Sequence, residues 1–303
     1  MRAMRARLLS HFGRQAWVLD AHGETRLCVY KGRDISPTAN DDVEIDPNPS
    51  PAVISAIFPR RNCVIRSEAH RTKRLAANVD QALIVVSGVP LFSDELLARM
   101  ICACAAEGIT GIVALNKIDR TAETTLAQTQ LTPFYQALHL LGWQVIQIAA
   151  KPDQGATNLQ ALRGLLEGKT TLIMGQSGMG KSSLLNALHP GANAQTREIS
   201  EALQSGKHTT TAGLVMALPG PESPQGWLID TPGFQLFGLH HLSESQLALG
   251  FPEWQAIHER DGRCRYANCA HLNEPNCTVR SACTNYKAAL RRLELWHMLR
   301  ASL

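Results

Sequence analysis

Thr170-Thr171-Leu172-Ile173-Met174 runs directly into Gly175-Gln176-Ser177-Gly178-Met179-Gly180-Lys181-Ser182, and the reading of the whole chain turns on this stretch. An apolar strand meets G-x-x-x-x-G-K-[ST] and continues into a helix-compatible run, Ser183–Leu188. That is the strand–loop–helix context of a phosphate-binding loop. The glycines let the backbone curl until its N–H groups point at phosphate oxygens. Lys181 is placed to reach the β- and γ-phosphates, and the Ser182 hydroxyl to ligate Mg²⁺. Gly175 through Ser183 are therefore candidate nucleotide contacts.

Reading downstream, Asp230-Thr231-Pro232-Gly233 closes the apolar run Trp227–Ile229, about fifty residues beyond Lys181. A carboxylate at a strand end in this position suits a Walker-B-type aspartate holding Mg²⁺ through water, and the Gly233 N–H can sense a γ-phosphate. Between the two motifs lies Gly206-Lys207-His208-Thr209-Thr210-Thr211. A threonine there can complete Mg²⁺ coordination in the triphosphate state and leave on hydrolysis. The residues alone leave Thr209, Thr210 and Thr211 open.

Reading upstream, Asn116-Lys117-Ile118-Asp119 follows the apolar strand Gly111–Leu115. The Asp119 carboxylate can accept from both N1–H and the 2-amino group of guanine. Adenine has neither donor and would leave the carboxylate desolvated and unpaired. Asn116 braces the loops, and the Lys117 stem packs along the base. Ala149-Ala150-Lys151 follows the strand Gln144–Ile148, with alanine where Ser-Ala-Lys is usual. The guanine O6 contact is then expected from the Ala150 N–H.

Order separates this chain from conventional GTPases, which run phosphate loop, threonine, D-x-x-G, N-K-x-D, S-A-K. Here NKID and AAK precede the loop. The motifs are circularly permuted, which is feasible when old termini are joined and new ones opened in a loop. Strands alternating with helices, Ala82–Ser87, Asp94–Ala106 (N-cap Ser93, stop Gly108), Pro133–Leu141, Leu159–Leu166, imply a mostly parallel sheet covered on both faces.

The flanks differ in texture. The first seventy or so residues read as short strands, among them Ala16–Leu19, Arg26–Val29 and Cys63–Ile65, with the proline-rich Asp46–Pro51 as loop or edge. A small β-barrel is expected. Arg60, Arg61, Arg66, Arg71, Lys73 and Arg74 close it, either as a solvated linker or as a phosphate-contacting patch. At the other end, Cys264-x₄-Cys269-x-His271-x₅-Cys277 supplies three thiolates and an imidazole, a closed tetrahedral set that suits structural Zn²⁺. Cys283 reads as a buried thiol, and Tyr286–Arg300 as a helix with basic edges.

The bulk numbers agree. At 303 residues, with 45% hydrophobic and 18% charged residues, the chain is a multidomain globular protein. A net charge of +4 hints only faintly at a polyanionic partner. No apolar run spans a bilayer, and Met1–Ser10 carries no export core, so a cytoplasmic protein is expected, with a monomer as the default. Eight cysteines in such a chain favour metal over disulfides, with Cys28, Cys63, Cys102 and Cys104 as small apolar residues.

Together these features resemble the RsgA family of circularly permuted GTPases of small ribosomal subunit maturation. The resemblance spans nearly the whole chain: Pro59-Arg60-Arg61-Asn62, Asn78-Val79-Asp80-Gln81, NKID, GQSGMGKSS, GKHTTT, DTPGF, and the Cys/Cys/His/Cys set with Glu274-Pro275. It implies an N-terminal OB-fold-like barrel (1–72), a permuted P-loop GTPase domain (73–240) and a C-terminal zinc-binding helical domain (241–303). It also implies rRNA and the small subunit as partners, and slow turnover that the subunit accelerates. The resemblance points to Thr210 as the switch threonine, with Thr209 and Thr211 adjacent. Phe234 stands where many GTPases carry a water-orienting glutamine, and the resemblance assigns that role to His208. One departure is Asp41-Asp42 where the family has Gly-Asp. With Gly32–Asp42 lacking the family's basic run, an eroded barrel with an altered RNA grip is expected. Two other classes stay open: an RNA-binding checkpoint protein that uses GTP only as a conformational ligand, and a P-loop ATPase or small-molecule kinase, against which NKID argues.

Overall fold

The structure, a computed structural model, describes residues 3–30, 35–68, 71–150, 158–190, 213–220, 224–284 and 286–303. Five strands, β1 (Met4–Phe12), β2 (Gln15–Asp20), β3 (Thr25–Tyr30), β4 (Asp42–Asp46) and β5 (Ala52–Ile57), close into a barrel in the order β1-β2-β3-β5-β4. All neighbours are antiparallel except β3 and β5. Alternation builds it: Ala6, Leu8, Ala16, Val18, Val43 and Ile45 point inward, while Arg5 and Arg7 point out. The OB-fold-like expectation holds.

The expected erosion does not extend to the barrel's closure. Asp41 is fully buried and accepts two hydrogen bonds from Arg60, Nε to Oδ1 at 2.7 Å and Nη2 to Oδ2 at 2.8 Å. Thr38 N donates to the same carboxylate at 2.7 Å. The residue that departs from the family pattern is therefore a satisfied buried ion. It also draws Arg60 inward, whereas Arg61, paired with Asp80 at 2.7 Å, keeps a largely exposed side chain.

The basic segment is not a linker either. β6 (Cys63–Glu68) and β7 (Arg71–Ala77) form an antiparallel hairpin that lies across the expected 72/73 division. From it the chain enters a six-stranded sheet ordered β10-β9-β8-β11-β13-β12, where β8 is Gln81–Ser87, β9 Thr110–Asn116, β10 Gln144–Gln147, β11 Thr170–Met174, β12 Leu214–Ala217 and β13 Trp227–Asp230. All neighbours are parallel except β12, an antiparallel edge on β13. β8 and β11 are buried along their whole length, as parallel strands covered on both faces must be. α1 (Asp94–Ala106) begins at Ser93, whose side chain accepts from Leu96 N at 3.2 Å. α2 (Thr121–Leu131), α4 (Leu159–Leu166) and α5 (Lys181–Leu188) follow their strands, and α3 (Tyr135–Leu140) continues a 3₁₀ turn at Thr132–Phe134. Beyond β13 come short helices and the long helix Lys287–Arg300. None of the helices among the described residues is long and apolar enough to cross a membrane.

Candidate functional site

In chain order the sheet grows outward from β8 through β9 to β10, then jumps back across β8 to β11 and β13. The direction reverses between β8 and β11, and in an open α/β sheet ligands bind at the carboxyl ends of strands beside such a reversal. NKID lies at the end of β9, the phosphate loop at the end of β11 and Asp230 at the end of β13. Motifs far apart in sequence thus face one cleft of about 730 Å³, lined by Asn116, Lys117, Asp119, Ala150, Ser177, Gly178, Gly180, Lys181, Ser182, Ser183, Asp230 and Gly233, with Val89, Arg120, Thr231 and Pro232.

The loop's shape rests on backbone that only glycine takes easily. Gly180 has φ +91°, and a Cβ there would sit 2.4 Å from Asn116 Nδ2. That amide nitrogen donates to Met179 O at 3.1 Å, while Asn116 Oδ1 accepts from Ala150 N at 3.3 Å. One buried asparagine therefore clamps the phosphate loop to the β10 loop, the bracing expected of it. The Ala150 N–H is accordingly shared between this contact and any base. Lys117, with φ +65°, carries its ammonium across the cleft to Val89 O and to Gly178 O at 2.7 Å, leaving its stem as a shelf. Asp119 is exposed beside it at the cleft mouth. Gln176 Oε1 accepts from Ser93 N at 2.8 Å, tying the loop to the start of α1. Gly175 and the buried Met179 shape the loop without lining the cleft.

At the phosphate end Lys181 is 7% exposed and donates to Gly175 O at 2.8 Å and Gln176 O at 3.0 Å. Burial lowers its pKa, partly opposed by Asp230. Burial raises the Asp230 pKa in turn, partly opposed by Lys181. A partly buried ammonium and a partly buried carboxylate thus stand in one another's field at the phosphate end of the cleft. Gly233 packs so tightly that a Cβ would lie 2.8 Å from Ser177 Cα. The DTPG backbone therefore sits against the phosphate loop.

The second cluster is C-terminal. One ligand atom from each of Cys264, Cys269, His271 and Cys277 falls within 4.8 Å of the others, a group that can hold a metal ion. Cys264 Sγ is 3.7 Å from His271 Nδ1 and 3.9 Å from Cys277 Sγ, and His271 Nδ1 is 3.3 Å from Cys277 Sγ. A tetrahedral ion with bonds of 2.0–2.3 Å needs ligand separations of about 3.5–3.8 Å, so the donors fit. Burial pushes the Cys264 thiol up, but N–H groups of Val279 and Thr278 outweigh it and leave the pKa below its ordinary value. Burial, helped by His258, draws His271 down to about 4, keeping the imidazole neutral as a ligand must be. Glu274 folds the turn, accepting from Ala270 N at 2.9 Å and Leu272 N at 2.8 Å. Cys283 is buried and stands outside the group.

Residues 57–240 match the family model described as RsgA GTPase. The chain is 40% identical over 298 residues to the small ribosomal subunit biogenesis GTPase RsgA of Ralstonia pickettii, covering 95% of this chain and 92% of the relative. It is 42% identical over 276 residues to the protein of the same name from Bordetella pertussis, covering 91% and 88%. The chain belongs to the RsgA GTPase family. Two solved structures share its fold: YjeQ from Thermotoga maritima (TM-score 0.73, 24% identity, 98% of this chain and 99% of that one) and YloQ, a circularly permuted GTPase (0.67, 23%, 99% and 96%).

Within the RsgA frame, the structure shows where Phe234 goes. Its ring is buried, edge-to-face with Phe237 at 5.2 Å and beneath the Arg66 guanidinium at 5.6 Å. Its backbone pairs with the phosphate loop, Phe234 N to Gly175 O and Ser177 N to Phe234 O, both at 3.2 Å. Phe234 therefore anchors DTPGF to the loop and offers the cleft no polar group. Lys151, His208 and Thr209 to Thr211, Thr210 included, lie outside the described residues. Sequence reasoning missed Val89, Arg120, Thr231 and Pro232 as cleft walls. Val89 stands two residues past β8, and the strand-end rule applied to β8 would have found it.

Proposed function

We propose that this RsgA-family GTPase binds GTP with Mg²⁺ in the permuted cleft and hydrolyses it during late maturation of the small ribosomal subunit. The observation that carries the reading is the convergence of NKID, the phosphate loop and DTPG on one cleft at the sheet's reversal point. The named function of relatives about 40% identical over nearly the full chain supports the ribosomal role. Asp119 reads guanine N1–H and the 2-amino group, Lys117 shelves the base, and the Ala150 N–H meets O6. Backbone N–H groups of the loop from Gly175 to Ser183 and the Lys181 ammonium take the phosphates. Ser182 and Thr210 ligate Mg²⁺, which Asp230 holds through water. The partly buried Lys181–Asp230 pair supports this pairing of anion and cation.

Cys264, Cys269, His271 and Cys277 would hold one structural Zn²⁺, since three thiolates and one imidazole leave no open position. The barrel, GTPase and zinc units of 1–72, 73–240 and 241–303 would act as one cytoplasmic monomer gripping rRNA. With Arg60 held by the buried Asp41, the rRNA-facing charge of this segment would fall to Arg61, Arg66, Arg71, Lys73 and Arg74. Phe234 supplies nothing to water, so His208 is the proposed water-orienting group.

The test is GTP turnover by purified protein, alone and with small or large subunits. Stimulation by the small subunit alone, abolished in His208→Ala while GTP binding persists, is expected. A flat response with GTP still bound would replace this reading with a nucleotide-gated RNA-binding checkpoint.

A further inference from the structure

The helix Glu253–Asp261 precedes the Cys/His cluster and brings one residue to it that lies outside the four-ligand set. His258 Nε2 is 3.4 Å from Cys264 Sγ. Its ring stands 6.1 Å from that of His271. The helix is also anchored away from the cluster. Trp254 stacks on Phe251 at 5.6 Å, and Glu253 is joined to Arg292 at 2.6 Å, both carboxylate and guanidinium being buried. The His258 side chain therefore approaches the sulfur from a fixed scaffold.

Charge explains why a donor belongs there. Three thiolates and one neutral imidazole around a divalent ion leave a net charge of −1, spread over the sulfurs. That excess is stabilised by N–H groups aimed at sulfur. Arg280 N supplies one to Cys277 at 3.3 Å. A metal-bound thiolate carries no proton and can only accept. The proton between His258 and Cys264 must then reside on Nε2.

We propose that His258 is a positioning residue of the metal centre: its Nε2–H donates to the Cys264 thiolate, orients that sulfur and slows loss of the ion. This rests on the metal-centre reading of the four ligands, not on the nucleotide cleft. Outer donors of this kind are worth roughly 10–100-fold in metal affinity.

The experiment uses the full chain loaded with Zn²⁺, and in parallel with Co²⁺, in wild type, His258→Ala, His258→Leu and His258→Gln. Zinc release to a chromogenic chelator should quicken about tenfold in the alanine and leucine variants. The sulfur-to-cobalt charge-transfer band should move to longer wavelength in both, because an unbonded thiolate gives up electrons more easily. Glutamine, whose amide N–H can reach the same sulfur, should restore both readouts toward wild type. Leucine retaining wild-type release and band position would overturn the proposal, showing that His258 merely fills space. Glutamine behaving like alanine, with GTP binding intact, would overturn it equally. If wild type takes up no stoichiometric zinc or cobalt, the four-ligand reading itself falls, which is a different result.

Discussion

The nucleotide cleft and the Cys/His knuckle are both sites gathered from dispersed residues, but they are gathered by opposite means. The cleft is made by backbone. Four parallel strands, β9, β8, β11 and β13, end side by side, glycines turn the loops, and Asn116 staples them through two main-chain groups. Its walls would stand without Asp119 or Ser182, both exposed. Among the described residues no strand lies beneath the knuckle. Short helices and the long helix Lys287–Arg300 meet there around side chains, with the sulfurs and imidazole at their centre. Chemistry is mounted on the fold in one region and is the fold in the other. Removing a functional group should therefore abolish binding with little loss of structure in the cleft, and abolish structure in the knuckle.

The largest expected effect breaks the knuckle. Structural zinc contributes about 10 kcal/mol or more to small domains that enclose it. Chelation, or Cys277→Ser, should strip hydrogen-exchange protection from residues 264–283 while guanine-nucleotide affinity changes less than about threefold. Loss of nucleotide binding in step with the metal would show that the cleft depends on the knuckle and collapse the contrast.

The next breaks the cleft. Asp119→Asn replaces an acceptor with an amide donor that no longer matches guanine's N1–H and 2-amino group. GTP affinity should fall on the order of 10³-fold, about 4 kcal/mol, and xanthosine triphosphate, with a 2-oxo group, should gain. The melting temperature should stay put, because the side chain is exposed and no fold contact rests on it. A drop of several degrees would mean that this wall is structural after all.

The joint between the regions gives a third effect. Arg292 is 2% exposed, its guanidinium 4.1 Å above the Phe251 ring and 5.2 Å from that of Phe134, which belongs to the sheet side. It donates to Glu253 Oε1 and Gly250 O, both at 2.6 Å. Arg292→Ala would strand a buried carboxylate and should cost about 3 kcal/mol in denaturant unfolding. Arg292→Met combined with Glu253→Leu removes both charges and should cost clearly less. Equal losses would mean that packing, not charge, holds the joint.

The same contrast governs what the sequence disclosed. α1 was legible from its Ser93 cap and Gly108 stop, α4 from its apolar period and β11 from a continuous apolar run. The cleft was legible because its backbone demands glycines at fixed spacing. α2 escaped notice since Thr121–Leu131 is threonine-rich and turns only Thr124, Ala127 and Leu131 inward, a helical stripe with a polar residue in it. β12 escaped because an antiparallel edge strand is not implied by a βα alternation. The four metal ligands were visible from spacing, yet Glu253, His258 and Arg292 were not, because side chains that meet from different helices leave no local period. Asp41 was misleading: taken as erosion of a family pattern, it is the buried partner of Arg60.

The smallest effect sharpens the boundary of the contrast. His241 follows the DTPGF segment and is bound to the hairpin, its Nδ1 2.7 Å from Ser67 Oγ and its N–H donating to the same oxygen at 2.9 Å. Burial holds its pKa below the ordinary 6.5, with Glu107 opposing and His240 adding to the shift. The folded state therefore resists a proton that the unfolded chain accepts. Stability from this group is intact above pH 6.5 and is lost as pH falls from there toward the lower folded value. Thermal unfolding of wild type should weaken between pH 7.5 and 5.5. In His241→Asn, whose amide oxygen can still accept from Ser67, the slope should be shallower. A slope unchanged in the variant would place the acid sensitivity elsewhere, with His11 of the barrel, whose pKa burial also lowers, as the next group to test. The Lys181–Asp230 pair of the cleft has the opposite sign, because a raised Asp230 pKa makes the folded state gain from protonation as pH falls.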